Sequence, residues 1–391
     1  MSYCDFVNNK SKIQEIMCLA LVSNTPDEKR EKFLELYNEV DDNQLYNEAK
    51  IDEVDSHIAY LMKETGIPLD EKWQESFDEV EKRITNLMNE LERVAVKLDA
   101  YHIPIVALKN AGITKGIYKN MACSPMGDID LLIETDHFHK AHEIIMEELG
   151  YTFKFRSEYE HEDIEEAFRG GGTEYYQDIN GYKVWLELQW RPIAGRWIQP
   201  ENEPNGNELV KRSYQIDNSK VRVLSPEDNL LQVALHTTKH SYVRAPGFRL
   251  HSDVDRIVRF TNIDWDKFVK QVKESQLKTS VYFSLCFAKS LLNTPIPENV
   301  LESLKPNVLR GSMIRYFIKK ADIFNQKKQK FSRLGYILFN MSLYDSLGNL
   351  FLAIIPSTQT IKDLYGVENK MLIPFYYVKR LFDLILKRAT L

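Results

Sequence analysis

Two aspartates stand two positions apart in Gly127-Asp128-Ile129-Asp130-Leu131-Leu132-Ile133, a run that is otherwise apolar. A strand sends alternate side chains to opposite faces, so Asp128 and Asp130 point one way while Ile129, Leu131 and Ile133 point the other. Like charges side by side at the mouth of an apolar strand repel one another, and burial strips their water. A divalent cation offsets both costs, and Mg²⁺ commonly takes one or two carboxylates together with substrate phosphates. The chemistry this pattern points to is phosphoryl-type transfer. A third acid, Glu187, lies in Val184-Trp185-Leu186-Glu187-Leu188-Gln189-Trp190 and shares a face with Trp185 and Gln189. If that strand lies beside the first, Glu187 completes a three-acid site; on an exposed hairpin face it is simply solvated.

Other constellations carry less. Asp-x-Asp recurs by chance, but the absence of a glycine at the calcium-loop position and of a glutamate closing a twelve-residue loop excludes an EF-hand. Gly170-Gly171-Gly172 lacks the Lys-Ser/Thr of a P-loop and precedes a hairpin, so it is expected to be a flexible loop able to move over a substrate. His236 and His240 share one side of a predicted helix. Thr237 stands where a zinc protease has glutamate, and no third ligand is evident. That leaves two readings for the pair: satisfied structural histidines, or groups that support the residues of a site or face a phosphate.

The elements that must position these residues are legible in the apolar spacing. Residues 10–99 read as helices, with Ile13, Ile16, Met17 and Ala20, and then Val80, Ile84, Leu87, Leu91, Val94 and Leu98, at helical intervals. After Tyr101 the period changes. His102–Leu108 reads as a short strand leading through Lys109-Asn110-Ala111-Gly112 into a helix, and the Asp128 run is the next strand. Thr135-Asp136 are good N-cap types for a helix that Gly150 closes. Asn180-Gly181 suits a type I′ turn between strands Thr173–Asp178 and Tyr182–Trp190. Ser225-Pro226-Glu227-Asp228 then opens a helix, and the rest of the chain is mostly helical. Ile337–Ile355 is the most apolar stretch, but Asn340, Asp345 and Asn349 interrupt it, so a buried core helix is expected in place of a membrane span.

A chain of 391 residues is long enough for two or three cores. The expected division is a helical region 1–99, a core 100–262 and a second helical region 263–391. Cys4, Cys18, Cys123 and Cys286 form no pair at zinc or redox spacing, and the N-terminus shows no secretory pattern, so a reduced cytoplasmic setting is expected. The net charge of −6 hides an asymmetry: residues 305–391 hold 15 Lys+Arg against 5 Asp+Glu. Such a region could meet anionic lipid, nucleic acid or a phosphorylated acceptor, or be a solvated helical surface.

At Leu108-Lys109, Gly127–Ile133, Leu186-Glu187-Leu188-Gln189-Trp190, Leu235-His236 with Lys239-His240, and Asp253-Val254-Asp255-Arg256, the chain resembles an uncharacterised bacterial nucleotidyltransferase family of the DNA-polymerase-β-like superfamily. The resemblance covers roughly residues 105–258. It implies an α+β fold, a mixed sheet with flanking helices, between helical N- and C-terminal regions. It also implies that Asp128, Asp130 and Glu187 bind two Mg²⁺ ions, and that Lys109 with the following turn at Asn110 meets the phosphates of ATP or another NTP, near Gly127, His236 and His240. The reaction implied is attack of an acceptor hydroxyl on the α-phosphate with release of pyrophosphate. A sugar, lipid-linked or peptide acceptor is expected by analogy. Asn110, Ser124 and Gln189 depart from the common Gly, Arg and His of the family. Asn110 and Ser124 motivate a catalytically silent nucleotide-binding or assembly module as the alternative, and the basic C-terminal region motivates an RNA-directed transferase as a third reading.

Overall fold

The computed structural model describes residues 10–156, 163–192, 198, 203–245 and 247–383; Cys4 and the last basic residues, Lys387 and Arg388, lie outside them. Helix α1 (Lys12–Leu21) opens on a capping box in which Ser11 and Gln14 each bond the other's backbone N–H. Helices α2 (Asp27–Tyr37), α3 (Asp42–Ile51) and α4 (Asp55–Thr65) follow, and α5 (Glu71–Asp99) runs for 29 residues. Its apolar stripe is buried from Ile84 to Leu98, as the helical spacing predicts.

The sheet is assembled from β1 (Val106–Ala107), β2 (Ile129–Leu132), β3 (Thr152–Phe153), β4 (Gly172–Ile179), β5 (Tyr182–Gln189), β6 (Tyr214–Gln215) and β7 (Arg222–Val223). Between them lie α6 (Lys109–Gly116), α7 (Phe138–Glu143), α8 (Ile164–Gly170) and α9 (Gly206–Arg212). The strand order is β3-β4-β5-β2-β1-β7-β6, with β2–β5 and β1–β7 parallel and the other pairs antiparallel. This mixed sheet with flanking helices is the α+β fold expected. The β4–β5 hairpin turns at Asn180 (φ 53°) and Gly181 (φ 82°), the two positive φ values a type I′ turn needs.

Beyond the sheet come α10 (Pro226–His240), α11 (His251–Phe260), α12 (Trp265–Glu274), α13 (Lys278–Leu292) and α14 (Glu298–Leu304). The last five are α15 (Val308–Ala321), α16 (Arg333–Ser342), α17 (Leu347–Ile354), α18 (Thr358–Tyr365) and α19 (Ile373–Phe382). The apolar residues divide between two main cores. One fills the space between the sheet face of Ile129, Leu131, Leu186 and Leu188 and the second half of α5 with α7. Each of these fully buried side chains contributes roughly 2 kcal/mol. The other core joins Ile16 and Phe33 of the N-terminal helices to Leu235 and Phe283 of α10 and α13, so helices that precede the sheet pack with helices that follow it.

Several local expectations are corrected. The strand expected over 102–108 is ordered as sheet only at Val106–Ala107. Thr135 and Asp136 do not cap a helix but lie inside a single 3₁₀ turn, with the Thr135 N–H bonded to Asn207 Oδ1 at 2.9 Å. The three glycines form no mobile loop: Gly170 ends α8, Gly171 caps it at φ 94°, and Gly172 begins β4. Ile337–Ile355 is not one buried helix. Asp345 leaves the helical path to accept hydrogen bonds from the N–H groups of Lys278 (2.8 Å) and Thr279 (2.9 Å), capping α13 from a distance. Ser346 then starts a new helix, α17.

Candidate functional site

The parallel pairing of β2 with β5 puts Asp130 in register with Glu187, and the hairpin puts Glu187 in register with Glu174. Three acids therefore form a row across three adjacent strands, on the face opposite the apolar side chains. Like charges in register destabilise a sheet unless a cation lies over them. At the next strand the Leu108 N–H donates to the Asp130 carbonyl at 3.0 Å, which fixes the end of β1 beside the row. Lys109 follows at once, and its ammonium lies 2.6 Å from Asp130 Oδ1 and 3.9 Å from Glu187 Oε2.

The local backbone is built for this contact. Lys109 adopts φ 49°, a left-handed conformation rare outside glycine. Gly112 sits so close to β1 that a Cβ there would lie 2.4 Å from the Ala107 carbonyl oxygen. Helix α6 therefore starts tight against the strand, and the turn between them aims Lys109 at the acids. The Lys109 N–H is directed at Gln232 Oε1 of α10, 3.4 Å away. Asn110, with its amide oriented to satisfy its neighbours, donates to the buried Asp253 carboxylate of α11 at 2.6 and 3.0 Å. The Asn110 side chain is thus turned towards α11.

Asp130 is buried and accepts from Lys109 Nζ and, at 2.8 Å, from Gln189 Nε2. Burial pushes its carboxyl up to about 7, Lys109 opposing the shift and Glu187 reinforcing it. Asp128, just before β2, is also raised, by burial and by the charge of Asp130, against Lys109 and Arg156. Burial alone would lower Lys109, but Asp130, Glu187 and Asp128 hold it above its ordinary value. Arg156 lies 2.7 Å from Asp128 Oδ2 and 3.2 Å from Glu174, with its guanidinium 5.3 Å from the centre of the Trp185 ring.

The site thus brings together Lys109, Asp128, Asp130 and Glu187 of the residues expected from sequence. His236 lies on α10 one turn beyond Gln232, with its ring 4.9 Å from that of His240. Burial, and then the Lys109 charge, keeps His236 well below the usual histidine range, so it is neutral at pH 7. The position where a Gly127 side chain would project is open space. Ser124, where an arginine is common, is buried and donates to the Asn120 carbonyl at 2.8 Å. Sequence reasoning missed Glu174 and Arg156. The two-residue turn at Asn180-Gly181 fixes a register that sets Glu174 opposite Glu187, so Glu174 could have been found; no sequence signal marks Arg156.

Four carboxylates against the two cations Lys109 and Arg156 leave a formal surplus of two negative charges when all are ionised. That surplus matches one divalent cation, and the oxygen-only donor set suits Mg²⁺. Among the described residues no three acidic, histidine or cysteine side chains stand close enough to hold an ion as they are placed. The Lys109 ammonium lies between Asp130 and Glu187.

Residues 38–293 match the model of a family described as uncharacterised nucleotidyltransferase. No curated protein and no solved structure matches the chain. The matched stretch holds every residue of the acidic row together with Lys109 and α10, and extends over well more than half of the 391 residues. The chain belongs to the uncharacterised nucleotidyltransferase family.

Proposed function

We propose that this protein is a Mg²⁺-dependent nucleotidyltransferase that transfers an NMP from an NTP to an acceptor hydroxyl and releases pyrophosphate. The observation that carries the reading is the in-register row of Asp130 and Glu187 with Asp128 at its head and Lys109 over it. Asp128, Asp130 and Glu187 would hold the metal, which supplies charge neutralisation at the phosphates and at the attacking and leaving oxygens. Lys109 has a flexible four-carbon stem and is charged at every working pH, so it leaves Asp130 for a phosphate oxygen when a triphosphate enters. Gln189 and the paired β-strands hold Asp130 in place, and positioning supplies much of the remaining rate. The acceptor is a saccharide, lipid-linked or peptide hydroxyl.

The test is isothermal titration of ATP, CTP, GTP and UTP with Mg²⁺ into the wild type and the Asp128→Asn/Asp130→Asn variant. Binding of at least one nucleotide that the double substitution removes is expected. No binding by the wild type, or binding indifferent to the substitutions, overturns the proposal. A second reading, a catalytically silent nucleotide-binding module, draws on Gln189, whose amide already fills one lone pair of Asp130. Pyrophosphate release with any candidate acceptor eliminates it.

A further inference from the structure

We propose that the C-terminal helices α15–α19 seat this protein on an anionic membrane surface. Among the described residues, sixteen of the twenty-two exposed large apolar side chains lie between Val308 and Phe382. Soluble surfaces carry such residues singly; a concentration of this kind marks a surface that is covered in use. Helix α17, Leu-Gly-Asn-Leu-Phe-Leu-Ala-Ile, buries none of its residues, and α19 buries only Ile373. Their exposed apolar residues keep helical spacing, with Leu347 and Phe351 on one and Phe375 and Phe382 on the other.

Charge selects the occupant. The same region is +10 over residues 305–391, so the rest of a chain with net charge −6 is about −16. Lys320 continues the exposed line of Met313 and Tyr316 on α15, and Lys379 lies one turn beyond Phe375 on α19. Lys319, Lys320, Lys327, Lys328 and Arg333 are exposed and have no ion-pair partner among the described residues. Apolar stripes flanked by unpaired lysines fit the boundary between anionic headgroups and acyl chains, where the apolar face enters and the cations stay at the headgroups. No described helix is long and apolar enough to cross a membrane, so the contact is in the plane of the surface. A second copy of this chain would bring +10 against +10.

The inference is independent of the proposed reaction, and its test uses the full chain without nucleotide. The wild type, Phe375→Glu/Phe382→Glu and Lys319→Glu/Lys320→Glu are sedimented with vesicles of phosphatidylcholine alone or with 30% phosphatidylglycerol (a composition on the order of the anionic fraction that gives a strong surface potential), at low and high salt. Circular dichroism and thermal midpoints matching the wild type establish that the variants fold. The expected result is wild-type binding to the anionic vesicles only, weakened by salt, with each variant losing roughly tenfold or more in partitioning. Failure to bind anionic vesicles at low salt, or unchanged binding by both folded variants, overturns the proposal. So does a concentration-dependent dimer that Phe375→Glu/Phe382→Glu dissolves while vesicle binding is absent, which would assign the surface to a second copy.

Discussion

At Lys109 the left-handed backbone costs roughly 1–2 kcal/mol compared with a relaxed conformation, a strain of the kind that persists where function requires it. The ion pair with Asp130 opposes that cost, since removing one partner of a buried pair strands the other, at about 3–5 kcal/mol. A Lys109→Met substitution therefore has a pH signature. The folded-state carboxyl of Asp130 lies at about 7, above its usual value of 3.8, so the native state binds more protons across that window and stability falls as pH rises through it. Without the ammonium the carboxyl stays protonated to higher pH. Urea unfolding is expected to show Lys109→Met near the wild type at pH 5, where Asp130 is protonated in both, and roughly 3 kcal/mol less stable near pH 9. A pH-independent difference would show that the pair is not what holds this residue. Asp128, Asp130, Glu187 and Lys109 were all legible in the sequence, because alternation along a strand and adjacency to a turn are local properties. Arg156 and the Asn110–Asp253 bond were not, because each joins segments that only the folded chain brings together.

At the scale of elements, the site depends on how closely α6 starts against β1. Gly112→Ala would place a methyl group 2.4 Å from the Ala107 oxygen, and backbone at that point can only yield by moving the helix. The expected cost is about 1–3 kcal/mol, with nucleotide affinity falling several-fold as the Lys109 turn shifts; thermal unfolding and titration with NTP check the two effects. Wild-type affinity in a destabilised Gly112→Ala protein would show that the turn is not part of the binding surface. The hairpin and the helix start at Ser225 were readable because turn and cap chemistry is short-range. The break at Asp345 was not. It arises because that carboxylate caps α13, 66 and 67 positions earlier in the chain, and no window of local periodicity contains both partners.

Across the whole molecule, the sheet supplies the row of acids, α10 and α11 hold the Lys109 turn, and the last five helices carry the apolar, basic surface. Composition revealed the charge asymmetry but not the exposed apolar stripes. An apolar run such as 347–355 reads as core until burial shows otherwise. In the proposed reaction a divalent ion meets the surplus negative charge of the acidic row, and Lys109 moves onto the triphosphate. The most direct measurement is a crystal structure with a nonhydrolysable NTP and Mn²⁺, whose anomalous signal locates the ion. A peak beside Asp128, Asp130 and Glu187 is expected, with Lys109 Nζ displaced from Asp130 to a phosphate oxygen. Nucleotide bound elsewhere, or no peak at the row with Lys109 still 2.6 Å from Asp130, would contradict the proposal.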